Sequence, residues 1–97
     1  MPKVVLADEA VRHYAAVPKA DRAFIKNGIR THLAEGDPQQ ASRNKFRLRR
    51  ASPYAEYELR LGPWWVFYRL QDDTVEVTMI GEKRGGTLYI GGEEVIL

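Results

Sequence analysis

No cysteine occurs in the 97 residues of the chain. That excludes a disulfide scaffold, a thiolate metal site and a cysteine nucleophile. Histidine is scarce: His13 and His32 stand nineteen positions apart, without the i, i+4 spacing of a helical metal motif. Both fall in helix-forming sequence and read as ordinary helix residues. Glycine-rich phosphate loops of the P-loop or dinucleotide type are absent. The adjacent Glu93 and Glu94 point to opposite faces of a strand, which excludes a carboxylate dyad there. Neither a metal nor a cofactor is implied. Long apolar runs are missing as well. Val4 to Ala7 is four residues, against about 7–15 for a signal peptide and about 20 for a membrane span. The expectation is a soluble, cytoplasmic protein without membrane association.

What is present suits one domain spanning residues 1–97, since domains run from about 50 to 200 residues. A composition of 44% hydrophobic and 29% charged residues lies far from the disordered class. The net charge of +2 conceals an uneven distribution. Arg43, Lys45, Arg47, Arg49 and Arg50 fall in eight residues with no acid, leaving ten basic against thirteen acidic groups elsewhere.

Two periodicities divide the chain. Lys3 to Ala7 is a β-branched strand candidate. Asp8 suits a helix N-cap, with Val11, Tyr14 and Ala15 on one face up to about Ala16. Pro18 stops that helix and opens another over Lys19–Glu35, where Ile25, Ile29 and Leu33 recur at helical spacing. Gly36-Asp37-Pro38 ends it. The period then drops to two. Tyr57, Leu59 and Leu61 alternate with Glu58 and Arg60. Trp64, Val66, Tyr68 and Leu70 alternate with Trp65, Phe67 and Arg69. Val75, Val77 and Met79 alternate with Glu76, Thr78 and Ile80. Turns at Gly62-Pro63 and at Gln71-Asp72-Asp73 make these an antiparallel three-stranded meander. Gly85-Gly86 reads as a turn, and Gly91-Gly92 as the turn joining Thr87–Ile90 to Glu93–Ile96. The apolar sheet face must be covered, and the helical hairpin is the candidate cover. The fold class is α+β: a strand, a helical hairpin, then the meander, with the helices packed on one sheet face.

The opposite face would then carry Glu58, Arg60, Trp65, Phe67, Arg69, Glu76 and Thr78. Aromatics between arginines suit a surface where bases stack and guanidinium groups hold phosphates. The alternative is that a partner protein or the C-terminal segment covers the rings. In the basic segment, an extended backbone would direct Lys45, Arg47 and Arg49 to one side, as a phosphate-binding row or as a solvated edge strand that resists aggregation. After the last strand of the meander, Lys83 and Arg84 can neutralise a developing phosphorane charge, and Tyr89 or Glu82 can move a proton. Such chemistry is metal-free phosphodiester cleavage with the RNA 2′-hydroxyl as nucleophile.

These elements in this order, with Asn44-Lys45-Phe46-Arg47-Leu48, Tyr57-Glu58-Leu59-Arg60-Leu61-Gly62, Val66-Phe67-Tyr68-Arg69 and Ile80-Gly81-Glu82-Lys83-Arg84-Gly85, resemble the RelE/ParE superfamily of bacterial type II toxins. The likeness covers essentially the whole chain. It implies a cytoplasmic toxin with a cognate antitoxin as partner. It implies either ribosome-dependent mRNA cleavage, with ribosome and mRNA as further partners, or inhibition of DNA gyrase without cleavage. A catalytically decayed member that only binds its antitoxin is the third reading. By this resemblance Arg60, Lys83, Arg84 and Tyr89 are the catalytic candidates, while the basic row and the aromatic face make Lys45, Arg47, Arg49 and Trp65 the nucleic-acid-binding ones. Two positions depart from the family pattern: Glu58 stands where relatives carry lysine, and Trp65 where they carry arginine. An acidic antitoxin segment would complement residues 43–50.

Overall fold

The computed structural model describes residues 2–48 and 55–95. It is an α+β structure with two helices against one twisted sheet. Strand β1 (Lys3–Leu6) leads into α1 (Asp8–Ala16) and α2 (Lys19–Ile29). Strands β2 (Lys45–Arg47), β3 (Tyr57–Leu61), β4 (Trp64–Gln71), β5 (Thr74–Arg84), β6 (Thr87–Ile90) and β7 (Glu93–Val95) follow. They lie in sequence order, each antiparallel to the next. The meander expected from sequence is therefore the middle of a longer ribbon. The Gly91-Gly92 hairpin forms as expected, and its two glycines, like Gly85 and Gly86, take the positive φ that a tight two-residue turn requires.

Strand β5 is shared. Its first half pairs in parallel with β1, Lys3 opposite Thr74 through Leu6 opposite Val77. Its second half pairs with β6, Gly81 opposite Ile90 through Arg84 opposite Thr87. In the gap between these partners, the Ile80 N–H donates to Nδ1 of His13 at 3.2 Å. His13 therefore completes the sheet edge from α1. Burial holds its pKa below the ordinary 6.5, with Glu9 opposing and Arg12 reinforcing the shift.

The helices bury Ala10, Val17, Ile25 and Ile29 against Leu59, Leu61, Trp64, Val66, Tyr68, Val75, Val77 and Ile80. Three details differ from the sequence reading. Asp8 is the first helical residue rather than the cap, because the Ala7 N–H is still held by the Val77 carbonyl in the extended strand. The buried face of α1 is set by Ala10, while Val11 is 51% exposed. The second helix is α-helical only to Ile29. Residues Arg30–Ala34 continue it as a wide π-helical turn, closed by Glu35 N–H to the Arg30 carbonyl.

The fourth correction is a phase change in β5. Phe67 pairs with Met79 and Tyr68 with Val77, so Thr78 is an extra residue on β5. Such a bulge flips the alternation beyond it. Ile80 therefore joins the helix-side core, and Met79 turns to the other face.

Candidate nucleic-acid interface

The face away from the helices is not open along its length. Phe67 is fully buried, although its alternation with Val66 and Tyr68 suggested exposure. It forms a second small core with Ala55 and Leu88, flanked by Leu48, Trp65, Met79 and Ile90. Strand β6 supplies Leu88 and Ile90, so the C-terminal segment covers this ring. The charged residues expected beside it are paired. Arg69 Nε binds Glu76 at 2.6 Å across β4 and β5, and the Thr78 hydroxyl bonds to the Phe67 carbonyl at 3.4 Å.

What stays accessible is the end of this face formed by β2, β3, the start of β4 and the end of β5. Register alone brings its members together. Arg60 lies opposite Trp65, Trp65 lies opposite Gly81, and Lys83 is two residues further along β5. Phe46 lies opposite Glu58 on β2. The guanidinium carbon of Arg60 is 4.3 Å from the Phe46 ring centre and 4.3 Å from that of Trp65. The Lys83 ammonium is 4.5 Å from the same Trp65 ring. The result is a ladder across four strands in the order ring, cation, ring, cation.

The backbone fixes this ladder. Asn44 accepts the Arg60 N–H at 2.7 Å through its carbonyl and returns an Nδ2–H to the Arg60 carbonyl at 2.9 Å. Gly81 has to be glycine for steric reasons: a Cβ there would come within 2.9 Å of the Ile90 Cγ1 and of the Tyr89 carbonyl oxygen. Glu58 is buried. Its Oε1 accepts from Arg60 Nη2 at 3.1 Å and its Oε2 from Nε at 3.4 Å, a forked pair. Lys83 has no carboxylate partner among the described residues.

The other predicted residues are elsewhere. Glu82 and Tyr89 are directly opposite each other, and both alternate away from Gly81, Lys83, Leu88 and Ile90. Tyr89 and Arg84 thus belong to the helix-side surface of the sheet. Arg84 lies 5.3 Å from the Tyr89 ring and pairs with Glu82 at 2.8 Å. Lys45 is buried, and its ammonium donates to the carbonyls of Asp37 at 2.8 Å and His32 at 3.3 Å. It satisfies the carbonyls at and beyond the π-helical turn and is not part of a surface row. Arg47 is exposed, 5.8 Å from the Tyr57 ring. Arg49 lies outside the described residues.

Phe46 and Asn44 join the site without having been candidates for it, and Glu58, expected on this face and as a departure from the family pattern, is the ion-pair partner of Arg60. The available signal was alternation in β2, which already separates Phe46 from Lys45 and Arg47. A cleft of about 360 Å³ lined by Pro2, Asp37, Pro38, Leu70, Asp72 and Asp73 is at the opposite end of β4 and β5. No cationic or aromatic side chain lines it among the described residues. Among the described residues there is no group of three or more metal-ligating side chains, and no helix is long and apolar enough to cross a membrane. No family model matches the chain, and no curated protein and no solved structure matches it.

Proposed function

We propose that the chain is the toxin of a type II toxin–antitoxin module with a RelE/ParE-like arrangement, and that it acts on mRNA at the ribosome as a metal-independent endoribonuclease. One observation carries this reading: Arg60, Trp65 and Lys83 meet on one accessible sheet face. An indole offers a stacking surface that is tolerant of base identity, and the neighbouring cations attract the phosphate. In the cleavage step the RNA 2′-oxygen bonds to phosphorus and the bond to the 5′-oxygen breaks. A 2′,3′-cyclic phosphate and a 5′-hydroxyl result. Positive charge beside the ring stabilises the oxygens of the transition state. With Tyr89 on the other surface, the 2′ proton passes to water and the 5′-oxygen takes one from water. The exposed Arg43 and Arg47 suit an acidic antitoxin segment.

A second reading has its own observation. Arg84 and Tyr89 do not share the face of Arg60 and Lys83, which favours a toxin that arrests its target without cutting RNA, gyrase being the target implied by the resemblance. Induction of the chain alone, with mapping of transcript ends, separates the two. Cuts inside translated codons are the expected result. Intact transcripts with inhibited supercoiling select the second reading, and unimpaired growth overturns both.

A further inference from the structure

Arg60 and Lys83 look equivalent as cations beside one indole, yet they differ in what already holds them. Nε and Nη2 of Arg60 are both committed to Glu58, whose side chain is only 8% exposed. The Arg60–Glu58 pair is neutral as a unit. The guanidinium also lies between Phe46 and Trp65, on the strand between theirs. Lys83 has only the Trp65 ring beside its ammonium among the described residues. A phosphate approaching Arg60 would have to compete with a buried carboxylate; one approaching Lys83 meets no competing carboxylate among the described residues.

We infer that Lys83 makes the direct ionic contact of this face with an RNA phosphate, and that Arg60, held by Glu58, is a positioning residue that fixes the Trp65 ring for stacking on an unpaired base. The ligand unit is one nucleotide of single-stranded RNA: the Lys83 ammonium moves from the Trp65 ring to the phosphate, and the base takes the place beside the indole that it leaves, while Arg60 stays on the ring. Duplex RNA is excluded, because its bases are not available for stacking. The inference rests on the RNA-directed reading above and divides the labour within it.

Salt dependence separates the two roles. Each phosphate neutralised in single-stranded RNA contributes about 0.7 to the slope of log affinity against log salt. A positioning residue contributes nothing to that slope. The probe is a short fluorescein-labelled single-stranded RNA of mixed sequence, titrated between about 50 and 200 mM salt. Lys83→Ala is expected to lower the slope by about 0.7, and Lys83→Arg to restore it. Trp65→Ala is expected to weaken binding about tenfold at unchanged slope. Arg60→Ala should also weaken binding at unchanged slope, and should diminish the quenching of Trp65 fluorescence by RNA. Glu58→Gln, which keeps the shape, should release Arg60 and raise the slope by about 0.7.

The inference is overturned if Arg60→Ala lowers the slope as Lys83→Ala does, or if Lys83→Ala leaves it unchanged. Should Arg60→Ala unfold, Glu58→Gln decides: an unchanged slope would mean that Arg60 already holds a phosphate, against the inference. Failure of the wild-type chain to bind the RNA is a different result. It overturns this inference, while the RNA-directed reading at the ribosome stands or falls with the mapping of transcript ends.

Discussion

The tripeptides Glu58-Leu59-Arg60 and Glu82-Lys83-Arg84 have the same local plan. In each, an arginine forms an ion pair with the glutamate two residues earlier and lies over an aromatic ring. Their settings differ. The first pair is in the middle strands, with Glu58 8% and Arg60 42% exposed, and two rings flank the guanidinium. The second is at the end of β5, with Glu82 26% and Arg84 68% exposed, and one ring nearby. The alternation of β5 adds a further separation. Lys83 faces Trp65, while Arg84 and Tyr89 face the other way. One sequence motif thus yields a rigid, partly desolvated array in one place and a solvated pair in another. Burial and the neighbouring strand decide which.

The strongest way to break the first setting is to remove its floor. Phe67 is fully buried, and its ring centre lies 6.3 Å from that of Trp65. Phe67→Ala is expected to cost about 3–5 kcal/mol, read as the shift of the urea unfolding midpoint. A loss below about 0.5 kcal/mol, the range of ordinary surface changes, would show that the second core is not a packed unit.

The glutamates come next. Glu58→Ala removes a buried carboxylate from an arginine that can still be hydrated in part. The expected destabilisation is about 1–2 kcal/mol, less than for a fully buried pair. Glu82→Ala should stay within about 0.5 kcal/mol. Equal losses in the same unfolding experiment would erase the contrast between the two pairs.

The arginines follow. Arg60→Ala loses contacts with two rings and leaves the buried Glu58 carboxylate without its partner, and is expected to cost about 1–2 kcal/mol, against a few tenths for Arg84→Ala. A double-mutant cycle of Arg60 with Trp65 sharpens this. A coupling of about 0.5–1 kcal/mol is expected, and no coupling would mean that the ring and the guanidinium are merely adjacent.

Much of this plan was legible in the sequence. Strand alternation placed Leu59, Val66 and Tyr68 under the helices, and helical spacing placed Ile25, Ile29 and Leu33 opposite them. Glycine pairs marked the β5–β6 and β6–β7 turns. The missing parts depend on long-range geometry. Thr78 is an ordinary strand residue until its partners are known, and only pairing reveals the bulge that exchanges Met79 and Ile80. Phe67 alternates like an exposed residue, and only the return of β6 buries it. Lys45 reads as one cation of a row. Its burial depends on the carbonyls of His32 and Asp37, which a π-helical turn and the following loop bring to it. Tyr89 follows Lys83 closely in sequence, but a two-residue hairpin pairs it with Glu82 and sends it to the other face.

The central claim is that the working face is the one shared by Arg60, Trp65 and Lys83. Growth arrest on induction, compared between two double variants confirmed as folded by circular dichroism, tests it directly. Trp65→Ala with Lys83→Ala is expected to abolish arrest, while Arg84→Ala with Tyr89→Phe retains it. Arrest that survives the first pair and is lost with the second would contradict the account.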